Sequence, residues 1–187
     1  MIGGEWPRRK RIRLANHDYS QDSAYFVTVC THDRQQLFGM GEAVFVGAHP
    51  CVRPPTGAEA LTPAGKMVEK WLYKLESKYP DHYIDCYVIM PDHVHFIIVR
   101  CGTAGGHMGP PRPNVLQWFK TQTTNDYIRG VKEDTFPPFT EKVWQRSFYE
   151  HIIKDPQDMQ EIRRYIYENP LKRAAEKEEE YPWNLKR

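Results

Sequence analysis

The feature of this chain that most constrains its fold is a pair of strand-like runs, residues 83–90 and 93–99, separated only by Pro91 and Asp92. Both runs are rich in β-branched, aromatic and other apolar residues, which is the composition typical of strands. Two such runs joined by a short turn predict a β-hairpin, and hence an antiparallel sheet.

Capping signals place two of the predicted helices. Thr62 and Asp155 are N-cap residues, each followed by a proline at the first helical position. Tyr79-Pro80 and Asn169-Pro170 are predicted to end these same two helices. Besides the hairpin, the predicted elements are a strand at 24–30, a helix at 62–79, a helix at 114–128, a strand at 143–152 and a helix at 155–169.

This order of elements predicts an α+β fold. Strands that are partly neighbours in sequence, with helices gathered on one side, favour a ferredoxin-like antiparallel sheet with helices packed on it. Residues 39–60 are predicted to be a long loop, with a short hairpin near 44–46 as an option. Residues 101–114 contain four glycines and three prolines and are predicted to be a mobile excursion.

The charge of the chain is unevenly distributed, although the net charge of its 187 residues is only +2. A basic arm, 1–20, contains five candidate phosphate-binding cations: Arg8, Arg9, Lys10, Arg11 and Arg13. An acidic tail, 176–187, lies at the other end, and a single domain is predicted between them, at 21–175. A solvated arm with no partner is the alternative interpretation.

Composition also bears on the compartment. The longest unbroken apolar run has five residues, 86–90, whereas about 20 are needed to span a bilayer. No signal-peptide pattern is present, and the four cysteines form no CxxC pair. We therefore expect a cytoplasmic protein with reduced thiols and no membrane partner.

His93 and His95 form the main chemical signal. Residues two apart in a strand point to the same face of the sheet, so both imidazoles are predicted to project together while Val94 points away. Two adjacent neutral imidazoles make half of a site for a divalent metal. The alternative is a pair of surface histidines on a solvated face.

The last predicted helix places a tyrosine beside its apolar stripe. At about 100° per residue, Met159, Ile162 and Ile166 mark the buried arc. Tyr165 and Asn169 fall on or beside that arc, one turn apart. The helix is therefore predicted to turn both side chains toward the sheet, although a core tyrosine and a helix-stopping asparagine would give the same pattern.

Three motifs together resemble a known family. Residues 87–95 read Tyr-Val-Ile-Met-Pro-Asp-His-Val-His, residues 144–151 read Trp-Gln-Arg-Ser-Phe-Tyr-Glu-His, and residues 164–170 read Arg-Tyr-Ile-Tyr-Glu-Asn-Pro. In this order they resemble the single-tyrosine transposases of the HUH endonuclease superfamily, and within it the REP-associated tyrosine transposases. The resemblance runs from about residue 8 to the tail.

The resemblance implies a ferredoxin-like catalytic domain that cuts and rejoins single-stranded DNA near short hairpins. By matching positions, Tyr165 would be the nucleophile that forms a 5′-phosphotyrosine bond. His93, His95 and Asn169 would hold Mg²⁺ or Mn²⁺. The expected partner is single-stranded or hairpin DNA. The resemblance leaves the oligomeric state open, because insertion-sequence relatives are dimers whereas REP-associated relatives can act as monomers.

Several alternatives remain open at this point. Lys120 and Arg146 are further candidates for DNA contacts, although Arg146 could instead form an ion pair at the sheet edge. Tyr149 is a rival nucleophile or a packing residue. The protein could also be a relative that binds hairpins without cutting, or a metal-dependent phosphoesterase that uses water.

Overall fold

The computed structural model describes residues 23–39, 45–48, 61–101 and 115–175. The basic arm, the acidic tail, the excursion after Cys101 and most of the 39–60 loop lie outside these ranges, so the predictions made for them stay predictions. The elements, in chain order, are β1 (Ser23–Cys30), a 3-10 turn (His32–Arg34), β2 (Phe45–Ala48), α1 (Pro63–Lys78), β3 (His82–Met90), β4 (His93–Arg100), α2 (Val115–Lys132), β5 (Tyr149–Ile153) and α3 (Pro156–Ala175).

The five described strands form one antiparallel sheet in the order β2-β3-β4-β1-β5. The predicted hairpin is β3 and β4, joined at Pro91 and Asp92. Without β2, the order of strands in the sheet is β3-β4-β1-β5. Together with α1 and α2, this order is the ferredoxin-like pattern, in which the first and third of the four strands along the chain are central. Here these two strands are β1 and β4. The predicted α+β class and ferredoxin-like arrangement are confirmed.

The short strand β2 is an addition at one edge. Phe45–Ala48 pairs with β3, with Phe45 opposite Ile89 and Ala48 opposite Cys86. These residues fall in the region predicted to be a loop, with a short local hairpin as an option. A strand does form there, but it pairs with β3 and not with a neighbouring part of the same loop. Its partner is 38–44 residues away along the chain, and local sequence carries no signal for so distant a pairing.

Helices cover both faces of the sheet, and the prediction that all of them gather on one side is wrong for α3. On one face, Val27 and Phe96 pack in a core with Leu72 of α1 and Phe119 of α2. On the other face, Phe26, Val88 and Ile97 pack with Ile162 and Ile166 of α3. The physical reason is visible in the run 86–90, where successive residues are apolar and each face of β3 must therefore be covered.

The helix starts were predicted correctly. Thr62 accepts a hydrogen bond from the Gly65 amide through Oγ1 at 3.0 Å, and Asp155 accepts one from the Asp158 amide at 2.9 Å. The predicted end of α1 at Tyr79 is also confirmed. The predicted stop at Asn169-Pro170 is wrong, because α3 continues to Ala175. A proline removes only one helical hydrogen bond, so it can bend a helix without ending it.

The strand predicted at 143–152 is confirmed only in its second half. Trp144 makes a single bridge to Thr31, and the regular strand β5 begins at Tyr149. Between them, the carbonyls of Gln145 and Arg146 accept hydrogen bonds from the Lys120 ammonium. These carbonyls therefore bond to a side chain instead of a neighbouring strand. Within the described ranges, no helix has the length and apolar character needed to cross a membrane.

Candidate active site

The site is built around His93 and His95, which β4 directs to the face covered by α3. Both side chains are almost fully buried, with 1% and 0% of their surface exposed. Their Nε2 atoms lie 3.1 Å apart. Both imidazoles therefore project to the same face of the sheet, as the alternation of side chains along a strand predicts. The alternative, a pair of solvated surface histidines, does not fit their burial.

The Nδ1 atom of each histidine has a polar partner. Asp92 Oδ1 lies 2.7 Å from Nδ1 of His93, and Thr28 Oγ1 lies 2.7 Å from Nδ1 of His95. A carboxylate accepts a hydrogen bond from a protonated Nδ1, and in that tautomer the lone pair of His93 is on Nε2. With the Nδ1 atoms engaged in this way, the two Nε2 atoms converge on one point.

This donor set suits a divalent cation. Two neighbouring ligands of an octahedral ion, each about 2.1 Å from the metal, lie about 3.0 Å apart, which is close to the separation of the two Nε2 atoms. Carboxylate-bonded imidazoles are the usual arrangement of metal-binding histidines. In the described parts of the chain, no cluster of three or more His, Cys, Asp or Glu could hold a metal.

Tyr165 reaches the histidines from α3. Its ring centroid lies 5.5 Å from that of His95 and 5.9 Å from that of Phe26, which itself stacks on His95 at 5.3 Å. The side chain is partly buried against the core on this face. The phenol and the histidine pair thus come together although 70 residues separate Tyr165 from His95.

Asn169 lies one turn beyond Tyr165 on α3 and is partly exposed. Its side-chain amide would offer an oxygen ligand, whereas the two histidines offer only nitrogen. Its role as a third ligand stays a prediction.

Tyr149 borders the same face at a greater distance from the histidines. It is opposite Thr28 in the β1–β5 register, and Thr28 is in turn opposite His95, so Tyr149 is two strands away from that histidine. Its ring lies 6.3 Å from that of Phe26, and burial raises the pKa of its phenol. The ring contact between Tyr165 and His95 places the other tyrosine, Tyr165, directly beside the histidine pair.

The predicted DNA-binding cations differ in their exposure to solvent. Lys120 is buried, and its ammonium donates to the carbonyls of Gln145 and Arg146. Burial lowers the pKa of Lys120 to about 8. Arg146 is exposed and follows Gln145, whose amide bonds to the Cys30 carbonyl at 2.9 Å. The arm residues Arg8, Arg9, Lys10, Arg11 and Arg13 lie outside the described ranges.

Sequence reasoning missed three residues at this site: Thr28, Arg34 and Asp92. Arg34 Nη1 lies 3.5 Å from Asp92 Oδ2 and 3.5 Å from Nδ1 of His93. The guanidinium is therefore near both the Asp92 carboxylate and the imidazole that this carboxylate contacts. Only Asp92 had a sequence signal, because it directly precedes His93.

Two polar contacts, one of them an ion pair, connect α3 to the sheet. Arg163 donates through Nε to Asp85 at 2.7 Å and through Nη2 to the other oxygen of that carboxylate. His151 on β5 lies 2.9 Å from Asp158 in the first turn of α3. The His151 ring is half-buried in this contact. These contacts hold the helix that carries Tyr165.

Comparisons with known proteins agree with this architecture. No family model matches the chain. An uncharacterized protein of Haemophilus influenzae is 28% identical over 172 residues, which cover 87% of this chain and 88% of that protein. A second Haemophilus influenzae protein, named provisionally as a REP-associated tyrosine transposase, is 29% identical over 89 residues, or 45% of this chain and 47% of that protein.

A solved structure gives the fold comparison. A REP-associated tyrosine transposase bound to a REP hairpin matches with a TM-score of 0.54 and 20% identity, over 88% of this chain and 76% of that chain. At this identity the match concerns the fold. In its ordered motifs, its partial sequence identity and its fold, this chain is therefore similar to the REP-associated tyrosine transposases.

Proposed function

We propose that this protein is a transposase-type endonuclease that cuts and rejoins single-stranded DNA through a covalent bond to Tyr165. The observation that carries the proposal is the contact between the Tyr165 ring and the buried His93–His95 pair, at 5.5 Å between the rings of Tyr165 and His95. A phenol beside two convergent imidazoles is the arrangement needed for attack on a charge-neutralised phosphate.

The proposed step exchanges one phosphodiester for another. The Tyr165 oxygen attacks the phosphorus, the bond from phosphorus to the 3′ oxygen breaks, and a 5′-phosphotyrosine forms. The phenol loses its proton and the leaving 3′ oxygen gains one, so no water or nucleotide cofactor is consumed. A 3′-hydroxyl from another strand can reverse the step and join new ends.

Charge is the main obstacle, because a phenol has a pKa near 10 and a phosphodiester repels an oxyanion. We assign His93 and His95, with Asn169, as the residues that would hold Mg²⁺ or Mn²⁺. When bound, the cation supplies charge neutralisation at a non-bridging phosphate oxygen. Asp92 contacts Nδ1 of His93 and Thr28 contacts Nδ1 of His95, and these contacts orient both imidazoles to bind the cation through Nε2.

The proposed DNA partner is a single strand that contains a hairpin. The solved relative of similar fold is bound to a REP hairpin, which supports hairpin binding here. Arg146 is exposed, and we assign it to phosphate contacts, as the sequence predicts. We assign Lys120 a weaker part, because its ammonium already donates to two carbonyls. The arm cations Arg8–Arg13 would add contacts that depend on salt.

A covalent-adduct gel tests the proposal. Labelled single-stranded hairpin DNA is incubated with the protein and Mn²⁺, denatured and separated. We expect a protein–DNA band that disappears in Tyr165→Phe and persists in Tyr149→Phe, because the Tyr165 ring lies 5.5 Å from that of His95 and Tyr165 matches the nucleophile by position. The phenylalanine variants keep each ring, so their matched comparison isolates the hydroxyl.

The other outcomes assign the alternative functions. Cleavage without an adduct would indicate a phosphoesterase that uses water. Hairpin binding without cleavage would indicate a DNA-binding relative. An adduct that survives in Tyr165→Phe and is lost in Tyr149→Phe would show that the rival tyrosine is the nucleophile.

A further inference from the structure

Residues 144–146 begin the second of the three sequence motifs, and they run beside the end of β1. Trp144 forms a bridge with Thr31, the residue that follows β1. The Gln145 amide then donates to the Cys30 carbonyl at 2.9 Å. These backbone contacts attach one side of the segment to the sheet.

Helix α2 holds the same segment from its other side. Trp144 donates through Nε1 to Thr123 Oγ1 at 2.8 Å. Three residues earlier on the helix, the Lys120 ammonium donates to the Gln145 carbonyl and, at 3.1 Å, to the Arg146 carbonyl. The segment is thus fixed on both sides, and Lys120 is the helix residue that bonds to the backbone of Arg146 itself.

The end of β1 that this segment joins is also the end that lies beside the histidine pair. Cys30 is directly opposite His93 in the β1–β4 register. Because neighbouring strands lie 4.7–4.9 Å apart, the backbone at Gln145 is about 10 Å from that of His93. Arg146 follows at once and is exposed. A cation assigned to phosphate contacts therefore begins from a backbone fixed close to the candidate metal ligands.

A buried lysine is a costly way to hold a backbone segment. The Lys120 side chain is only 9% exposed, and burial lowers the pKa of its ammonium to about 8. Lysines with strongly shifted pKa values are found mainly at functional sites. Here the buried cation bonds to the backbone of the very residue that is assigned to DNA contacts.

We propose that Lys120 is a positioning residue, which places Arg146 for its contact with a DNA phosphate by bonding to the Arg146 carbonyl. A flexible backbone at Arg146 would have to lose conformational freedom when the DNA binds, and the bond to Lys120 removes much of that cost beforehand. Lys120 thus acts on the DNA through Arg146 and not by a phosphate contact of its own. This inference rests on the proposed function and adds to it the means by which one DNA contact is positioned.

A double-mutant cycle tests the inference, with binding measured apart from cleavage. In a Tyr165→Phe background at pH 7, affinity for labelled single-stranded hairpin DNA is measured at several salt concentrations. The four proteins compared are the parent, Lys120→Met, Arg146→Ala and the variant with both changes. Urea unfolding shows that each is folded. Lys120→Gln keeps a donor without the charge and passes through the same cycle, so a second variant is at hand if methionine prevents folding.

We expect Arg146→Ala to weaken binding about tenfold and to reduce the salt slope by about 1. Lys120→Met should weaken binding about fivefold in the parent, but by less than about 1.5-fold once Arg146 is alanine, because both changes then remove the same contact. Lys120→Gln should show the same coupling with a smaller loss. Lys132→Met, at an exposed position of the same helix, is the matched control and should stay within about twofold of the parent.

Three results would overturn the inference. One is unchanged affinity in Lys120→Met. Another is an equal loss with and without Arg146, which would mean that Lys120 contacts the DNA itself or acts through the fold as a whole. The third is an equal loss in Lys132→Met, which would indicate an effect of net charge.

The failure of the proposed function is distinguishable from these results. Coupling between Lys120 and Arg146, in a protein whose Tyr165 form makes no adduct, would support the inference and overturn only the proposed chemistry. A folded parent that binds no hairpin DNA would overturn both the inference and the proposed function.

Discussion

At the residue scale, Asp92 connects the candidate metal ligand His93 to the backbone of the neighbouring turn. Its carboxylate bonds to Nδ1 of His93 and faces Arg34, while its carbonyl accepts from the Thr31 amide. It is only 5% exposed. A buried carboxylate in this position fixes both the orientation of the imidazole and the tautomer that presents Nε2 to a ligand.

Asp92→Asn should therefore weaken metal binding with little change of shape. We expect Mn²⁺ affinity to fall about 10–100-fold, because the amide removes the negative charge behind the imidazole. Titration calorimetry measures the affinity directly. Asp126→Asn is the matched control, since Asp126 bonds to Trp71 and Arg129 on the opposite face. Unchanged Mn²⁺ affinity in Asp92→Asn would contradict the role assigned to the carboxylate.

The sequence was sufficient for the two histidines and Tyr165 because each depends on a local period. Strand alternation gives His93 and His95 one direction, and the helical repeat places Tyr165 beside the buried arc. Thr28 and Arg34 could not be found in this way. They are 67 and 59 residues from their histidine partners. The register of β1 against β4 places Thr28 opposite His95, and Arg34 lies in the turn that follows β1.

At the scale of elements, α3 depends on the ion pair between Arg163 and Asp85. Asp85 lies at an irregularity of the β3–β4 register, where Ile84 and Cys86 are opposite consecutive residues of β4. Its side chain is 5% exposed, whereas that of Arg163 is 44% exposed. The pair joins β3 to the helix two residues before Tyr165, so it constrains the position of the proposed nucleophile.

Arg163→Ala should destabilise the fold and lower activity further than the stability loss explains. Removing the guanidinium leaves a buried carboxylate, which costs about 1–2 kcal/mol for a pair that is half open to solvent. Urea unfolding measures the cost, and adduct yield at low temperature measures the activity. Arg164→Ala, an exposed neighbour on the same helix, is the control and should be nearly neutral. Equal behaviour of the two variants would contradict this role.

The starts of α1 and α3 followed from capping residues, but the ends of α2 and α3, at Lys132 and Ala175 instead of 128 and 169, and the layer arrangement did not. Placing α3 opposite α1 and α2 requires knowing that β3 is buried on both faces. The uninterrupted apolar run 86–90 contained that information, since a strand with one solvated face alternates instead. The edge strand β2 had no comparable local signal.

At the scale of the whole molecule, the stability of the fold should depend on the ionisation of Lys120. Burial lowers its pKa from the ordinary 10.5 to about 8. Between these values the unfolded chain holds a proton at this residue that the folded chain has released. The free energy of unfolding therefore rises with pH across the window from about 8 to 10.5.

Lys120→Met should remove this contribution, which amounts to about 1–3 kcal/mol over the window. The measurement is chemical unfolding at a series of pH values, and the readout is the difference in slope between the variant and the parent. Lys132→Met, at an exposed position of the same helix, should leave the slope unchanged. If Lys120→Met and the parent have parallel pH profiles, the ammonium is not destabilised by burial.

The ferredoxin-like order could be predicted because it follows from the sequence of elements and one hairpin. The cytoplasmic location and a homodimer stay predictions, as does the contribution of the basic arm. Each depends on partners or segments outside the described ranges, and composition alone does not fix them.

The strand β4 serves two layers at once: Val94 and Phe96 fill the core with α1 and α2, while His93 and His95 face α3. Inserting or deleting one residue before His93 would exchange these directions, sending imidazoles into the hydrocarbon layer and valine toward the phenol. Point substitutions at the site can spare the fold, but changes of strand length cannot. Alteration of this protein by insertion or deletion is therefore confined to the segments that join its elements.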